Sequence, residues 1–390
     1  MSLQTEADAL LRQAAANGDV PGVVALATDS NGTIYEGGFG ERLQGGGAAM
    51  TADTVVWIAS MTKAITATAA MQLVEQGRLH LDRPAQDVAP ALAEARVLDR
   101  FDDAGRPVTR PPARPVTLRH LLTHTAGFSY EFWQQPIIRY QEATGTPGIV
   151  TCEDRALTTP LLFDPGERWE YGISIDWAGK MVEAASGQKL GAYLQRNLFE
   201  PLGMRDTGFR ITDDMRRRLA KIHQRGGDGR FEPQLELEIP QDPEFEMGGG
   251  GLYGTIQDYA KFVRMILNRG RADGQQLLKP ETVQMMSTNQ MGACRVGMLK
   301  TAMPPLSNDA EFFPGMPKTW GFSFMINTER APTGRNPGSL AWAGLANSYF
   351  WIDPAAGIGG VYATQVLPFA DKKALPLFLA FEKTVYDQLS

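Results

Sequence analysis

At 390 residues the chain exceeds one ordinary domain, so two domains, or one interrupted by a large insertion, are expected. A hydrophobic share of 43% with a net charge of −6 describes a globular protein, and the one basic cluster, Arg216-Arg217-Arg218, reads as a solvated helix face rather than a nucleic-acid surface. No apolar run approaches the roughly 20 residues of a membrane span, the N-terminus has no signal-peptide pattern, and Cys152 and Cys294 give no disulfide framework, so a cytoplasmic location is expected.

In chain order, residues 5–17 carry an amphipathic helical pattern that ends near Gly18. Residues 22–28 and 33–39 read as two strands of a hairpin about Asp29-Ser30-Asn31-Gly32. The stretch Trp57-Ile58-Ala59-Ser60-Met61-Thr62-Lys63 then opens a helix, because Met61, Ile65, Ala69 and Leu73 recur four apart and Gly77 follows as a stop. Ser60 falls in its first turn, and Lys63, three residues on, shares its face. A serine beside a desolvated lysine is a nucleophile that needs no histidine, and a helix start offers unpaired N–H groups to an oxyanion. The same spacing recurs at Ser186-Gly187-Gln188-Lys189, but there it marks a glycine-bearing helix end. Lys63 instead lies inside an apolar run, where a charge is costly unless paired or functional.

From Leu79 the prolines at 84, 107, 111, 112 and 115 describe an irregular segment. Thr117 caps a short helix, Leu118 to His124, stopped by Gly127. His120 and His124 have zinc-ligand spacing, yet Leu121 stands where a metalloprotease helix needs glutamate and no third ligand is evident, so no metal is expected. Phe128, Tyr130, Phe132, Trp133 and Tyr140 crowd the next segment, either as the wall of an apolar pocket or as core. Residues 165–174 read as a turn and an extended piece ahead of a helix from Asp176 to Ala185. Tyr171 on that loop either reaches a neighbouring helix terminus or simply packs. Gly249, Gly251 and Gly254 satisfy the dinucleotide spacing, but the polar, proline-broken stretch from Pro240 to Phe245 supplies no preceding strand. The glycines are better read as backbone packed where no side chain fits, against a ligand or against the Ser60 helix. Thr255 caps a helix to Leu267, and Lys279-Pro280-Glu281 opens another. Trp320 to Asn327, Ser348 to Asp353 and Gly359 to Ala363 read as strands, and Lys372 to Leu389 as a helix. Both chain ends thus contribute to one α/β layer: residues 1–82 and 315–390, around a mainly helical inserted region 83–314.

Taken in order, Ser60-Met61-Thr62-Lys63, the turn Leu121 to Gly127, Pro165-Gly166, Tyr171-Gly172-Ile173-Ser174, Gly203-Met204, Gly248 to Gly254 and Trp342-Ala343-Gly344 resemble the serine β-lactamase and penicillin-recognising superfamily. Within it they resemble the class C β-lactamase-like esterases called family VIII carboxylesterases. The resemblance implies an antiparallel sheet flanked by helices, Ser60 as nucleophile, and Lys63 and Tyr171 sharing the base role. It also implies an oxyanion hole from the N–H groups of Ser60 and Leu345, with no metal or organic cofactor. Two departures shape the substrate expectation. Trp342-Ala343-Gly344 replaces the family's Lys-Thr-Gly, which removes a cation that pairs with a substrate carboxylate, and Lys318-Thr319 is a stray match because Trp320 follows it. Ile173 replaces an amide-bearing asparagine. Both favour a neutral ester over an anionic amide; the expected activity is hydrolysis of short-chain carboxylic esters, with Trp342, Gly344, Phe128, Tyr130, Trp133 and Met247 as the expected substrate contacts. The expected partner is thus a small-molecule ester, with no nucleic acid and no membrane. Acyl transfer to a bulky alcohol, in the manner of lovastatin-type acyltransferases, is the alternative, with residual β-lactamase or D-amino-acid peptidase activity another. A non-catalytic binding protein is a third, against which the intact Ser60, Lys63 and Tyr171 argue.

Overall fold

The computed structural model describes residues 2–389. Its centre is a seven-stranded sheet of β1 (Gly22–Asp29), β2 (Thr33–Gly40), β3 (Lys318–Trp320), β4 (Met325–Asn327), β5 (Leu340–Gly344), β6 (Ser348–Asp353) and β7 (Ile358–Ala363). The spatial order is β3-β4-β5-β6-β7-β1-β2, and every neighbouring pair is antiparallel. The two chain ends therefore meet in mid-sheet, where β7 pairs with β1 in the register Leu26↔Val361.

The central strands are buried on both faces because both faces are covered, whereas the edge strand β2 is largely half-buried. In β1 every residue but Asp29 is buried. Side chains alternate along β6: Tyr349 and Trp351 meet Phe378 of the C-terminal helix (Ala374–Leu389), whereas Phe350 between them meets Tyr259 of the helix Ile256–Leu267 on the opposite face. The N-terminal helix, Leu3–Ala16, packs beside the C-terminal one, and Ser2 caps it by accepting the Thr5 N–H. The helix 256–267 belongs by sequence to the middle of the chain yet packs on the sheet. No helix among the described residues is long and apolar enough to cross a membrane.

Local readings differ from the structure where a turn is hidden in an apolar run. Trp320 to Asn327 is not one strand: the chain reverses between β3 and β4, with Ser323 at φ 65°. The proline-rich segment contains a hairpin, Val97–Phe101 with Pro107–Arg110. Its turn is held by Asp102 Oδ1, which accepts the N–H groups of Ala104 and Arg106. A second hairpin, Ile222–Arg225 with Phe231–Gln234, lies parallel to Val366–Leu367. The piece ahead of Asp176 forms no strand, and the helix there spans Ser174–Ser186. Ser60 lies not in the helix itself but in a 3₁₀ turn just ahead of it; the site sits where that turn meets the end of β5 and the following helix, Thr62–Glu75, buried from Thr62 to Leu73, packs on the 174–186 helix.

Candidate active site

Ser60 occupies a corner between strand and helix. Val56–Trp57 pairs with Tyr253–Gly254, and Gln365 grips the Trp57 peptide from both sides: Oε1 accepts its N–H at 2.9 Å and Nε2–H donates to its carbonyl at 3.2 Å. The chain then turns through Ala59 at φ 45°, a left-handed conformation that costs energy for a residue with a Cβ. The Thr62 hydroxyl holds that turn by donating to the Ala59 carbonyl at 2.6 Å. A 3₁₀ turn, Ala59–Met61, follows, with Ala59 and Met61 buried and Ser60 left partly exposed between them. Gly344 closes the corner from the other side: a Cβ there would run into the Ile58 carbonyl and the Ser348 hydroxyl. This close approach sets Leu345 beside Ser60 in the wall of one cleft.

Lys63 is fully buried and uses all three ammonium donors, on Ser60 Oγ at 3.1 Å, Tyr130 Oη at 2.8 Å and the Gly249 carbonyl at 2.6 Å. Burial pushes its pKa well below the ordinary lysine value, and the charge of Asp176 opposes that shift. The glycine run packs on the Ser60 helix, one of the two roles its sequence left open. Thr66 donates to the Gly248 carbonyl at 2.8 Å, Trp57 Nε1–H to that of Gly250 at 2.7 Å, and Leu252 N–H to Thr62 Oγ1 at 3.2 Å. A Cβ at 249 would collide with Asp176, and one at 248 would crowd Thr66 and the Ile175 carbonyl.

Tyr171 reaches the same place from the loop ahead of the 174–186 helix. Gly172 makes this possible, since a Cβ there would strike the Ser129 backbone and the Phe128 carbonyl. Tyr171 Oη accepts the indole N–H of Trp342 at 2.8 Å, and its ring centroid lies 4.7 Å from Lys63 Nζ. Burial raises the Tyr171 pKa, and Ser60 and Trp342 at the hydroxyl counter that rise. Around it stand His124 and Trp342, each with ring centroids 4.8 Å away, and Trp320 packs on Trp342 at 4.6 Å. Lys318 plays no part here: its buried amine donates to the Met316 carbonyl at 2.8 Å and that of Phe313 at 3.3 Å.

The cleft over Ser60 is walled by Tyr171, Trp342, Gly344 and Leu345 together with Phe132, Trp133, Leu299 and Phe369. It holds about 280 Å³ of non-atom space, of which only about 20 Å³ admits the centre of a water molecule. Three expected substrate contacts do not line this cleft. Phe128 stacks on Trp177 at 6.3 Å, behind the cleft. Met247 is buried in the turn whose carbonyl accepts the Gly250 and Gly251 N–H groups, at 3.0 and 2.7 Å. Tyr130 is bonded to Lys63. His120 serves its own helix as a capping box with Thr117, the helix ends at Leu122, and no group of metal-ligating side chains occurs among the described residues. Phe132 belongs to the aromatic run already singled out. Leu299 and Phe369 come from remote loops and carry no sequence signal. Asp176 was visible only as a helix start.

This geometry defines a β-lactamase-like serine site, and comparison gives the same class: the chain belongs to the β-lactamase family, whose model matches residues 7–381. Among its relatives, monacolin J acid methylbutanoyltransferase of Aspergillus terreus is 33% identical over 97% of this chain and 94% of its own. Lovastatin esterase of Penicillium rubens is 32% identical over 98% of each. A mutant of simvastatin synthase from Aspergillus terreus superposes with a TM-score of 0.85 at 32% identity, covering 99% of this chain and 97% of the other. The family neighbourhood is thus one of acyl-transferring and ester-hydrolysing enzymes.

Proposed function

We propose that the protein is a serine carboxylesterase that cleaves short-chain carboxylic esters through an acyl-enzyme on Ser60. The observation that carries this reading is the contact between the buried Lys63 Nζ and Ser60 Oγ at 3.1 Å, with Tyr171 facing the same amine. Ser60 Oγ attacks the ester carbonyl carbon as its proton passes to Lys63 and Tyr171. The carbonyl oxygen, now negative, rests on the Ser60 and Leu345 N–H groups. Collapse expels the alcohol, which takes up the proton. Water, deprotonated by the same pair, then attacks the acyl carbon and frees acid and Ser60.

The substrate class follows from the walls. Trp342 spends its single N–H on Tyr171 and offers the cleft only apolar surface, and Phe132, Leu299 and Phe369 add more. Such a cleft favours an uncharged acyl group over an anionic amide. Acyl transfer to an alcohol is the second reading. It is supported by the names of the relatives, a methylbutanoyltransferase and an esterase among them.

The test runs a short-chain aryl ester and a β-lactam in parallel on wild type and Ser60→Ala, with intact mass recorded. The expected outcome is ester turnover with an acyl adduct, little lactam cleavage, and loss of both turnover and adduct in the variant. Adding an alcohol and measuring new ester against free acid separates transfer from hydrolysis. Turnover that survives Ser60→Ala overturns the reading.

A further inference from the structure

Asp176 is a fully buried carboxylate that the proposed mechanism does not use. It stands at the start of the 174–186 helix, where its Oδ1 accepts the Gly249 N–H at 2.8 Å, while Oδ2 has no hydrogen-bond partner among the described residues. The carbonyl of that same Gly249 accepts from Lys63 Nζ at 2.6 Å. One glycine therefore joins the carboxylate to the amine, and its missing side chain is what lets Asp176 sit against it, because a Cβ at 249 would fall on the carboxylate. A buried carboxylate is expensive unless a partner compensates it, and a free lone pair at Oδ2 marks a group not present merely to satisfy a backbone donor.

We infer that Asp176 is a positioning residue for the Lys63 amine, holding the Gly249 carbonyl against it and setting, through its charge, how readily that amine gives up a proton. This rests on Lys63 sharing the base role proposed above. An anion beside an ammonium favours the charged form, whereas burial favours the neutral one. Lys63 takes the Ser60 proton only when neutral, so Asp176 pushes the working range of the site to higher pH. The groups that face the pair are, on Asp176, Glu131 and Cys152 as well as Lys63. On Lys63 they are Tyr130, Tyr171 and His124. Glu131 raises the proton affinity of Asp176, as a like charge does, while Lys63 is the side chain whose charge stabilises the carboxylate. Burial raises the Asp176 pKa and Lys63 lowers it.

Asp176→Asn keeps an oxygen for the Gly249 N–H and removes the charge. The acidic limb of kcat/KM against pH should move down by about one pH unit, the smaller end of what a nearby opposite charge produces. A rate loss with the limb unmoved would mean that Asp176 only supports the backbone, and would overturn the inference. A variant that does not fold leaves a second measurement: the carbon-13 carboxyl titration of Asp176 in wild type and in Lys63→Met. That titration should move to higher pH when the amine is gone, and an unchanged titration would also overturn it. The carboxyl readout needs no turnover, so it separates failure of this inference from failure of the esterase reading.

Discussion

Two serine–lysine pairs of identical spacing lie in this chain, and only one is buried. Ser60 and Lys63 meet at 3.1 Å inside the protein, with the amine wholly removed from solvent. Ser186 and Lys189 straddle the C-terminal end of a helix. There the Ser186 hydroxyl accepts the Gln188 N–H at 3.2 Å, Gly187 turns the chain at φ 72°, and the exposed Lys189 reaches the Glu244 carbonyl at 3.3 Å. The difference teaches that spacing supplies proximity at most. Reactivity comes from desolvation, which lowers the lysine's proton affinity, and from neighbours that fix where its donors point. At the first pair those neighbours are Tyr130, Gly249 and Tyr171; at the second the serine serves its own helix end.

The sharpest way to break this contrast is to remove the nucleophile of each pair. Ser60→Ala should cost at least about a thousandfold in kcat/KM on an aryl ester, since loss of a covalent nucleophile removes the whole acyl-enzyme route. Lys63→Met, which keeps most of the packed stem, should lower kcat by about 10²–10⁴-fold, the range of a positioned general base. Next in size is Gly344→Ala: its methyl meets the Ile58 carbonyl, so a loss of about 1–3 kcal/mol in unfolding free energy should accompany reduced turnover as Leu345 is displaced. Gly187→Ala, whose added methyl meets nothing, should cost about 1 kcal/mol through its left-handed backbone alone and leave kcat/KM unchanged. Trp342→Phe removes one buried donor from Tyr171 and should slow turnover by about fivefold, equivalent to one ordinary hydrogen bond. Smallest of all, Ser186→Ala and Lys189→Met should leave ester turnover within about twofold of wild type, as surface changes generally do. A large loss in either would show that burial is not what distinguishes the pairs.

The wall of the cleft was less readable than the chemistry beneath it. Phe132 and Trp133 share a run with Phe128, and all three look alike in sequence. The chain path after Gly127 decides that Phe128 turns to Trp177 while its neighbours face Ser60. Leu299 and Phe369 arrive from segments with no periodicity at all. Tyr130 lies in the same aromatic run, and only the structure shows that its hydroxyl accepts from the buried Lys63 amine at 2.8 Å. Hairpins at 97–110 and 318–327 were missed or merged for a related reason: short strands are set by their partners more than by their own residues.

By itself the sequence determined the helix that carries Lys63 just behind Ser60, the hairpin of β1 and β2, the glycine run, and the apolar Trp342, because each is written in local periodicity, in turn chemistry or in a single side chain. Only the tertiary structure decided that Lys63 is dry, that Gly249 lies between it and Asp176, that β7 closes on β1, and that loops near 299 and 369 cover the cleft. Those facts depend on contacts between residues far apart in the chain, and burial, which sets both the lysine's proton affinity and the polarity of the cleft, has no value until those contacts form.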